Sequence, residues 1–508
     1  MTSPSSAWLL VLAVLLPFVG MAFGLLFGGR HIQRVALTTL ALGLGVIGAI
    51  ALNMLGNAQG MEYLLGGFAP PLGIALRADG LSLVMLLVVA VVITLVSLYA
   101  RADFPAANSG QETRAALIFW LMLLAIWGSL NLVFLSGDLF TLYVALELLT
   151  FAGVPLVALD GRGATLRAAL RYLLFALLGS LLYLLGAVLL YGAYGTLDMR
   201  MLAAVVRAEP LTWAALALMT VGLLAKTALF PLHIWLPPAH AGAPAAASAL
   251  LSALVVKGSW FLVLRLWLDV MPQVVTLSAA QLLAALGAAA IIVGNLVALR
   301  QQRLKLLIAY STVAQLGYLF LMFPLIFGLA LAGQDSSSAL SGGMVQTVSH
   351  ALAKAAMFLA AGLIYLTLGH DRIGDLRGVA QALPMTVLAF ALAGASLIGL
   401  PPSGGFTAKW LLLSAALDSA QWWWALVMLL GGLMTSVYVF IIVVRSLTPA
   451  EAGWTPQKNV PQYQQIAVLC LALASFLLGL LTLLPPELAL DWVQIGREPL
   501  LLLRGQTP

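Results

Sequence analysis

Apolar runs of about twenty residues follow one another along almost the entire chain of 508 residues. Such a run is long enough to cross the hydrocarbon core of a bilayer, which is ~30 Å thick. Hydrophobic residues make up 63% of the sequence, and its mean hydropathy of +1.07 excludes an ordinary soluble protein. The sequence therefore predicts an all-α membrane protein.

About fourteen transmembrane helices are predicted from these runs. They lie at residues 7–28, 34–54, 81–100, 115–135, 139–159, 168–193, 211–230, 244–268, 278–299, 305–328, 345–368, 384–417, 422–445 and 463–484. The first run lacks the basic segment and the small-residue cleavage site of a signal peptide, so we predict that it is retained. We divide the chain into three spans with an interfacial loop (1–114), a first five-helix block (115–268), a second five-helix block (278–445), and a C-terminal span with a tail (446–508).

Lysine and arginine residues in the loops predict the orientation, because cytoplasmic loops are enriched in them. The loops after odd-numbered spans hold Arg30, Arg34, Arg101, Arg114, Arg162, Arg167, Arg171, Arg300, Arg303, Lys305, Arg372, Arg377, Arg445 and Lys458. The opposite side holds fewer, namely Arg77, Arg200, Arg207, Arg265, Arg497 and Arg504. We therefore predict a multi-pass protein of the bacterial inner (cell) membrane with both termini on the outer side.

Six ionisable residues lie within or beside the apolar runs, although only 8% of the chain is charged. They are Glu147, Lys226, Lys257, His350, Lys354 and Lys409. A charged side chain at the centre of a bilayer costs at least ~2.5–3.5 kcal/mol, so such residues are rarely incidental. Both signs of charge at this depth predict a path for protons or other ions through the chain.

Two of the predicted spans are interrupted by proline. Span seven is broken by Pro231 and Pro237–Pro238 shortly after Lys226, and span twelve is broken by Pro401–Pro402 shortly before Lys409. Broken helices at membrane depth occur only where protein or water satisfies the freed backbone groups. The breaks fall at the fourth position of each five-span block, and the blocks enter the membrane from opposite sides. This pattern is typical of an inverted repeat with sites near the midplane.

Glu147 and Lys226 are predicted to pair, because a lone buried charge of either sign is expensive. Two unit charges ~4 Å apart attract each other by about 4 kcal/mol at an effective dielectric of ~20. Formation and loss of this pair would switch Lys226 between its charged and neutral forms. The alternative is a static ion pair that fixes the register of two helices, although buried pairs stabilise proteins weakly.

Four further residues extend the predicted path. Lys257 lies in the middle of its span and would receive a proton from Lys226 through water. His350 and Lys354 are four residues apart and share one helix face. Lys409 would end the path. The alternative for each lysine is a side chain that extends to the membrane interface, and for His350 it is a solvated position near the start of the span.

His233 and His240 flank the Pro237–Pro238 pair and are candidates for a proton gate or relay. Their spacing across prolines, without a nearby carboxylate, makes a poor metal site. The single cysteine excludes a disulfide within the chain and an iron–sulfur cluster held by this chain alone. No Gly-rich dinucleotide fingerprint or P-loop is present. We therefore predict no cofactor, no metal and no nucleic-acid partner.

Five segments of the sequence resemble one family of membrane proteins. The longest is KTALFPLHIWLPPAHAGAPAAASALLSALVVKGSWFLVLR, which begins at Lys226. The others are DLFTLYVALELL around Glu147, RLKLLIAYSTVAQLGY at 303–318, HALAKAAMFLAAGLIY from His350, and GLPPSGGFTAKWLLL at 399–413. In this order they resemble the antiporter-like subunits that Mrp-type cation/proton antiporters share with respiratory complex I and membrane-bound hydrogenases.

The resemblance implies fourteen helices, two inverted five-helix repeats, and a hydrated axis formed by the six ionisable residues. It also implies other integral membrane subunits as partners. Lysine at position 409, where some members carry glutamate, resembles the D-type Mrp subunit and the N-type complex I subunit. The segment PPLGIALRADGLS at 70–82 most resembles the D-type Mrp subunit.

We expect a membrane subunit that translocates protons in a multisubunit Mrp-type cation/proton antiporter, and the sequence leaves open whether sodium moves as well. The second hypothesis is a proton-pumping subunit of an NADH:quinone oxidoreductase or a membrane-bound hydrogenase, in which flavin and iron–sulfur centres belong to other chains. The third is a structural subunit that transports nothing, although the axis charges argue against it. The chain itself carries no redox or hydrolytic site.

Overall fold

Long apolar helices account for most of the chain. The computed structural model describes residues 6–105, 113–451 and 453–483. In chain order the α-helices are α1 (Leu9–Phe27), α2 (Ile32–Asn57), α3 (Gly80–Asp103), α4 (Arg114–Leu135), α5 (Leu139–Val157), α6 (Gly163–Tyr194), α7 (Met199–Val205), α8 (Pro210–Thr227), α9 (Leu236–Gly242), α10 (Ala245–Leu250), α11 (Val256–Arg265), α12 (Leu277–Leu299), α13 (Leu304–Leu331), α14 (Ser337–Leu368), α15 (Val379–Ala382), α16 (Pro384–Ile398), α17 (Gly404–Asp418), α18 (Trp422–Leu447) and α19 (Gln462–Leu477). Arg497, Arg504 and the predicted C-terminal tail lie outside the described residues.

Thirteen helical stretches in the described residues are long and apolar enough to cross a membrane. One of them, Ala245–Val270, joins α10 and α11 through the π-helical segment Leu251–Val255 and ends in a second, Leu266–Val270. A fourteenth crossing consists of α16 and α17, which are each shorter and are separated by the predicted break. The predicted class, an all-α membrane protein with about fourteen spans, is confirmed.

Both predicted interruptions are present. α8 ends where Ala228 adopts a left-handed conformation with φ 59°, and α9 begins eight residues later with Pro237 in its first turn. Proline is tolerated there because the first turn has no intrahelical acceptor for the missing N–H group. α16 ends at Gly399, whose φ of 92° suits glycine, and α17 begins after Ser403, which caps it.

The helix Ala245–Val270 lies at the centre of the molecule. All of its residues except Arg265 and Asp269 are buried by neighbouring helices. α11 packs against α8 and α4 of the first five-helix block, while α10 and the π-helical segment pack against α14 of the second. The two blocks therefore meet along this helix, and side chains on it are shielded from lipid.

α12 and α13 approach each other closely because glycine faces glycine, as is common between membrane helices. A Cβ atom added to Gly287 would lie 2.7 Å from the carbonyl oxygen of Gly317, and one added to Gly317 would contact the carbonyl oxygen of Gly287. Neither backbone can move away without separating the two helices. This contact therefore sets the distance between the first two spans of the second block.

Gly287→Ala should lower the stability of the purified protein by about 1–3 kcal/mol, because the added methyl group forces α12 and α13 apart. The measurement is the apparent melting temperature in detergent. Gly45→Ala is the matched control, since a Cβ atom at Gly45 in α2 would meet nothing within 4 Å. Equal melting temperatures for the two variants would contradict the packing argument.

The interfacial loop between α2 and α3 contains a short antiparallel hairpin, which the sequence did not predict. Its strands are β1 (Met61–Leu64) and β2 (Ala75–Ala78), with Met61 opposite Ala78. Arg77 in β2 binds the carboxylates of Glu62 and Asp198, each at 2.9 Å. Asp198 also caps the short helix α7 by accepting from the backbone N–H groups of Arg200 and Met201. These ion pairs join the loop to the first five-helix block.

α19 packs against α3, α14 and α16, and so joins the last described helix to the third. The side-chain amide of Gln464 in α19 donates to the carbonyl oxygen of Tyr99 in α3 at 3.0 Å and to the carboxylate of Asp103 at 3.1 Å. Gln464 and Tyr99 are 365 residues apart in sequence. The last described span therefore covers one face of α3 and is hydrogen-bonded to it.

Candidate functional site

α5 and α8 place Glu147 and Lys226 side by side. The Nζ atom of Lys226 lies 3.3 Å from Oε1 of Glu147 and donates to the hydroxyl of Thr150 at 2.9 Å. The hydroxyl of Ser180 in α6 donates to the same carboxylate oxygen. The two charged side chains are only 6% and 14% exposed. The structure thus brings the two predicted partners together and surrounds them with hydroxyl groups.

The break after α8 fixes the position of Lys226. Lys226 lies in the last turn of α8, where the helix dipole favours a cation. The indole nitrogen of Trp235 donates to the carbonyl oxygen of Ala225 at 2.9 Å, so one carbonyl freed by the break keeps a partner. Trp235 also stacks on Tyr172 of α6, with ring centroids 4.4 Å apart. The lysine therefore projects from a rigid helix end.

A small cavity separates Lys226 from the helix that carries Lys257. Its volume is about 10 Å³, which is just enough for one water molecule. Lys226 and Thr150 contribute to its lining, and so does Ser259 of α11. The hydroxyl of Ser259 also lies 2.8 Å from that of Thr227, the residue after Lys226. Room for one water molecule and two hydroxyl groups thus lies beside Lys226, on the side of α11.

Lys257 is buried at the start of α11 and donates to the carbonyl oxygen of Ser252. Ser252 lies in the π-helical segment, a geometry that is frequent at functional sites. The hydroxyl of Ser252 is 2.9 Å from the hydroxyl of Thr312 in α13. This pair of hydroxyl groups crosses from the first five-helix block to the second.

Lys354 in α14 shares a hydrogen-bond acceptor with the same hydroxyl pair. Its ammonium group donates to the carbonyl oxygen of Ile308 at 3.2 Å and to the hydroxyl of Ser311. The hydroxyl of Thr312 donates to that carbonyl oxygen at 2.9 Å. Lys257 and Lys354 are thus connected through Ser252, Thr312 and one shared carbonyl group.

Lys409 lies after the second break and uses the carbonyl groups that the break frees. Its ammonium group donates to the carbonyl oxygens of Leu397 and Ile398, at 2.7 Å and 2.8 Å, and lies 4.6 Å from the ring centroid of Tyr318. The side chain of Gln315, one turn after Ser311 on α13, donates to the carbonyl oxygen of Leu397 at 3.2 Å. Gln315 therefore links the surroundings of Lys354 to those of Lys409.

Two histidines lie inside the same region. His240 and His350 are fully buried, and neither ring has a hydrogen-bond partner among the described residues. The charges of Lys257 and Lys354 act on both rings, and His240 stacks on Phe358 at 4.6 Å. A buried ring without a protein partner calls for a specific explanation, such as an ordered water molecule beside it or a role in proton transfer. His233 is different, because it is partly exposed in the segment between α8 and α9.

Several alternatives considered from the sequence are wrong. Lys257, Lys354 and Lys409 do not extend to the membrane interface, because each is buried and bonded to interior carbonyl groups. His350 is not solvated near the start of a span, because α14 begins thirteen residues earlier, at Ser337, and buries it.

The sequence missed the hydroxyl and amide side chains that connect the charges. They are Thr150, Ser180, Ser252, Ser259, Ser311, Thr312 and Gln315. The spacing of Ser311 and Gln315, four residues apart, places both on one face of α13. Such residues are common in membrane helices, however, and only the facing helices reveal which of them join the lysines.

Arg265 forms a second buried cluster of charge. Its guanidinium group donates to Asp79 at 2.6 Å and to Asp269 at 2.7 Å. Asp79 also caps α3 by accepting from the backbone N–H of Ser82 at 2.9 Å, as is typical of aspartate before a helix. This cluster joins α3 to the end of the central helix, and its bidentate ion pair gives it a structural rather than a proton-transfer character.

The chain is similar to known proteins along most of its length. A family model described as NADH:quinone oxidoreductase/Mrp antiporter, TM matches residues 136–435. The chain is 35% identical to the N-type NADH-quinone oxidoreductase subunit of Desulforudis audaxviator, over 90% of both chains. It is 29% identical to the D-type Na(+)/H(+) antiporter subunit of Alkalihalophilus pseudofirmus, over 91% of this chain and 90% of that one.

The fold is also that of a solved structure. A chain in the structure of the Mrp complex from Dietzia sp. superimposes with a TM-score of 0.85, at 24% identity and over 99% of both chains. The family model covers more than half of the sequence and includes all six predicted axis residues. The chain therefore belongs to the NADH:quinone oxidoreductase/Mrp antiporter transmembrane family.

Proposed function

We propose that this chain translocates protons across the membrane, as one subunit of a hetero-oligomeric complex. The observation that carries the proposal is the row of buried lysines, with hydroxyl and carbonyl groups between them, that runs from the Glu147–Lys226 pair to Lys409. A buried lysine is expensive unless its charge can be paired or removed. A series of such groups, with hydroxyls between them and room for a water molecule, suits the transfer of protons.

Each predicted residue has a role in this proposal. Glu147 controls whether Lys226 is charged, and Lys226 passes its proton to Lys257 across the water-sized cavity. Lys354, with His350 on the same face of α14, receives it by way of the Ser252–Thr312 hydroxyl pair and water, because the Ile308 carbonyl that Thr312 and Lys354 share accepts hydrogen bonds but cannot pass on a proton. Lys409 ends the path. His240 serves as a relay at the centre, because its ring is fully buried and both ring nitrogens are without a hydrogen-bond partner among the described residues. His233 serves as a gate at the partly exposed break in span seven.

Two kinds of complex are supported by the names of relatives. An Mrp-type cation/proton antiporter is supported by the D-type antiporter subunit of Alkalihalophilus pseudofirmus, and there proton movement would be coupled to sodium. An NADH:quinone oxidoreductase is supported by the N-type subunit of Desulforudis audaxviator, and there the redox centres would lie in other chains.

We further propose the orientation that the loop charges predict, with both termini on the outer side, and the division into segments 1–114, 115–268, 278–445 and 446–508.

Co-purification from the native membrane, with mass spectrometry of the partners, distinguishes the two complexes. Small hydrophobic subunits with a second, larger antiporter-like chain would support the antiporter. Subunits that carry flavin and iron–sulfur centres would support the oxidoreductase. Purification of this chain without any membrane partner would contradict both.

Glu147→Gln should lower proton flux by about tenfold, because glutamine keeps the hydrogen bonds of the side chain but removes the charge beside Lys226. The measurement is quenching of a pH-sensitive dye in liposomes that contain the purified complex. Glu209→Gln is the matched control, because Glu209 is an exposed carboxylate at the N-terminus of the same helix as Lys226. Unchanged flux in both Glu147→Gln and Lys226→Ala would refute the mechanism.

A further inference from the structure

A second cavity lies away from the axis, where α12 ends and α13 begins. Its volume is about 640 Å³, and the C-terminal part of α18 completes it. Four arginines and one carboxylate, that of Asp375, contribute to its lining. The arginines are Arg300, Arg303, Arg372 and Arg445. Because three helix ends meet here, the cavity lies at a membrane surface rather than at membrane depth.

The rim of this cavity is held by backbone hydrogen bonds. The N–H of Leu304 donates to the carbonyl oxygen of Asp371 at 2.7 Å, and the N–H of Ile373 donates to that of Gln302 at 2.9 Å. The guanidinium group of Arg303 also pairs with the carboxylate of Asp371 at 3.0 Å. The loop after α12 and the segment after α14 therefore form one fixed frame for the arginines.

The four arginines differ in their pairing. Arg300, Arg372 and Arg445 form no ion pair among the residues that the structure describes, whereas Arg303 is paired with Asp371. Even if Asp375 offsets one charge, a surplus of positive charge remains around the cavity. Arginine binds phosphate oxygens with two parallel hydrogen bonds, so this lining suits a phosphate group.

The other wall of the cavity is apolar and open. Leu299 and Ile441 line it and are 36% and 40% exposed. Ile441 continues a stripe of exposed side chains along α18, with Val437 at 45% and Leu433 at 65%, each four residues before the next. Positions four apart share one helix face, so an apolar strip runs from the cavity along the membrane-spanning part of α18.

We propose that this cavity binds the headgroup of an anionic phospholipid, with the phosphate on the arginines and an acyl chain along the apolar strip of α18. A basic pocket between membrane helices at a membrane surface is suited to such headgroups. Free phosphate shares the chemistry of the headgroup but makes no use of the apolar wall. The site lies outside the proton path and does not depend on the proposed function.

The test measures phospholipid binding to the purified full-length chain by native mass spectrometry. Phosphatidylglycerol and phosphatidylcholine with the same acyl chains are titrated into wild-type protein and into the variant Arg300→Gln/Arg445→Gln. Each arginine near an anionic lipid contributes roughly a fivefold gain in affinity, so the variant should bind phosphatidylglycerol about 30-fold more weakly. Phosphatidylcholine carries the same phosphate, but the arginines repel its choline cation, so it should bind the wild type more weakly and lose less affinity in the variant. Arg30→Gln/Arg34→Gln, which removes two exposed arginines elsewhere, should bind like the wild type.

Three results would overturn the proposal. One is equal binding of phosphatidylglycerol by wild-type protein and the double variant, and another is a wild-type protein that does not prefer phosphatidylglycerol to phosphatidylcholine. The third is that inorganic phosphate binds the protein as tightly as phosphatidylglycerol does and displaces that lipid. The site would then be one for soluble anions. If the double variant fails to purify, Arg372→Gln tests the same prediction with a loss of about fivefold.

Discussion

Replacing Lys226 with alanine is expected to lower proton flux through the purified complex by at least about 100-fold, the effect of removing a positioned proton-transfer group. Lys226 contacts Glu147 and also lines the water-sized cavity that borders α11, the helix that carries Lys257. Without its ammonium group the path has no first carrier. The measurement is dye quenching in liposomes, normalised to the amount of assembled complex.

Loss of assembly would imitate loss of transport, because breaking a buried ion pair by removing one partner costs ~3–5 kcal/mol. Lys226→Arg separates the two effects. Arginine keeps the positive charge beside Glu147 but does not release its proton, so this variant should assemble normally and still fail to transport. Wild-type flux in Lys226→Arg would show that the residue acts only as an ion-pair partner. Lys458→Arg, in an exposed loop, should transport like the wild type.

Lys354→Met is expected to abolish flux to a similar extent while stability stays equal or rises. Lys354 is fully buried and has no acidic partner within the described residues, so its charge is held at a cost to the fold. Methionine fills nearly the same volume without that cost. Loss of the ammonium group leaves no orphaned donor, since the hydroxyls of Ser311 and Thr312 both donate to the carbonyl oxygen of Ile308.

Flux and apparent melting temperature measured on the same Lys354→Met sample test this prediction. Leu352→Met is the matched control, because Leu352 is a buried apolar residue in the same helix. If Lys354 had only a structural role, the variant would have a lower melting temperature, and its flux would fall only in proportion to the amount of folded complex that is lost. Retained flux per assembled complex would remove Lys354 from the path.

The sequence predicted the spans well because burial in lipid demands long apolar helices whatever their neighbours. The predicted span 422–445 agrees closely with α18, Trp422–Leu447. The prediction failed at α14, which begins at Ser337 rather than near residue 345. Its first turns read SSALSGG, a composition typical of a loop, and they are helical because Gly342 packs closely against Leu411 and Ala408 of α17. Tertiary contact overrides local preference there.

The charged residues of the site were predictable because each is costly in an apolar run and therefore conspicuous. Their connections were not, since they depend on which helices face each other. Ser252 and Thr312 meet only because α10–α11 and α13 are neighbours, although sixty residues separate them in sequence. The hairpin in the interfacial loop was missed for the same reason, because its ion pairs reach from Glu62 and Arg77 to residues near position 200.

The contact between α19 and α3 can form only late in biosynthesis, after α19 has been made. Ribosomes add ~5–20 residues per second, so the partner of Tyr99, 365 residues later in the chain, is made roughly 20–70 s after it. Throughout that interval the face of α3 that α19 will cover must be occupied by lipid, by the insertion machinery or by another subunit. The earlier spans therefore remain incompletely packed in the membrane until α19 is inserted. A ribosome that stalls before α19 leaves α3, α14 and α16 each with one helix face uncovered.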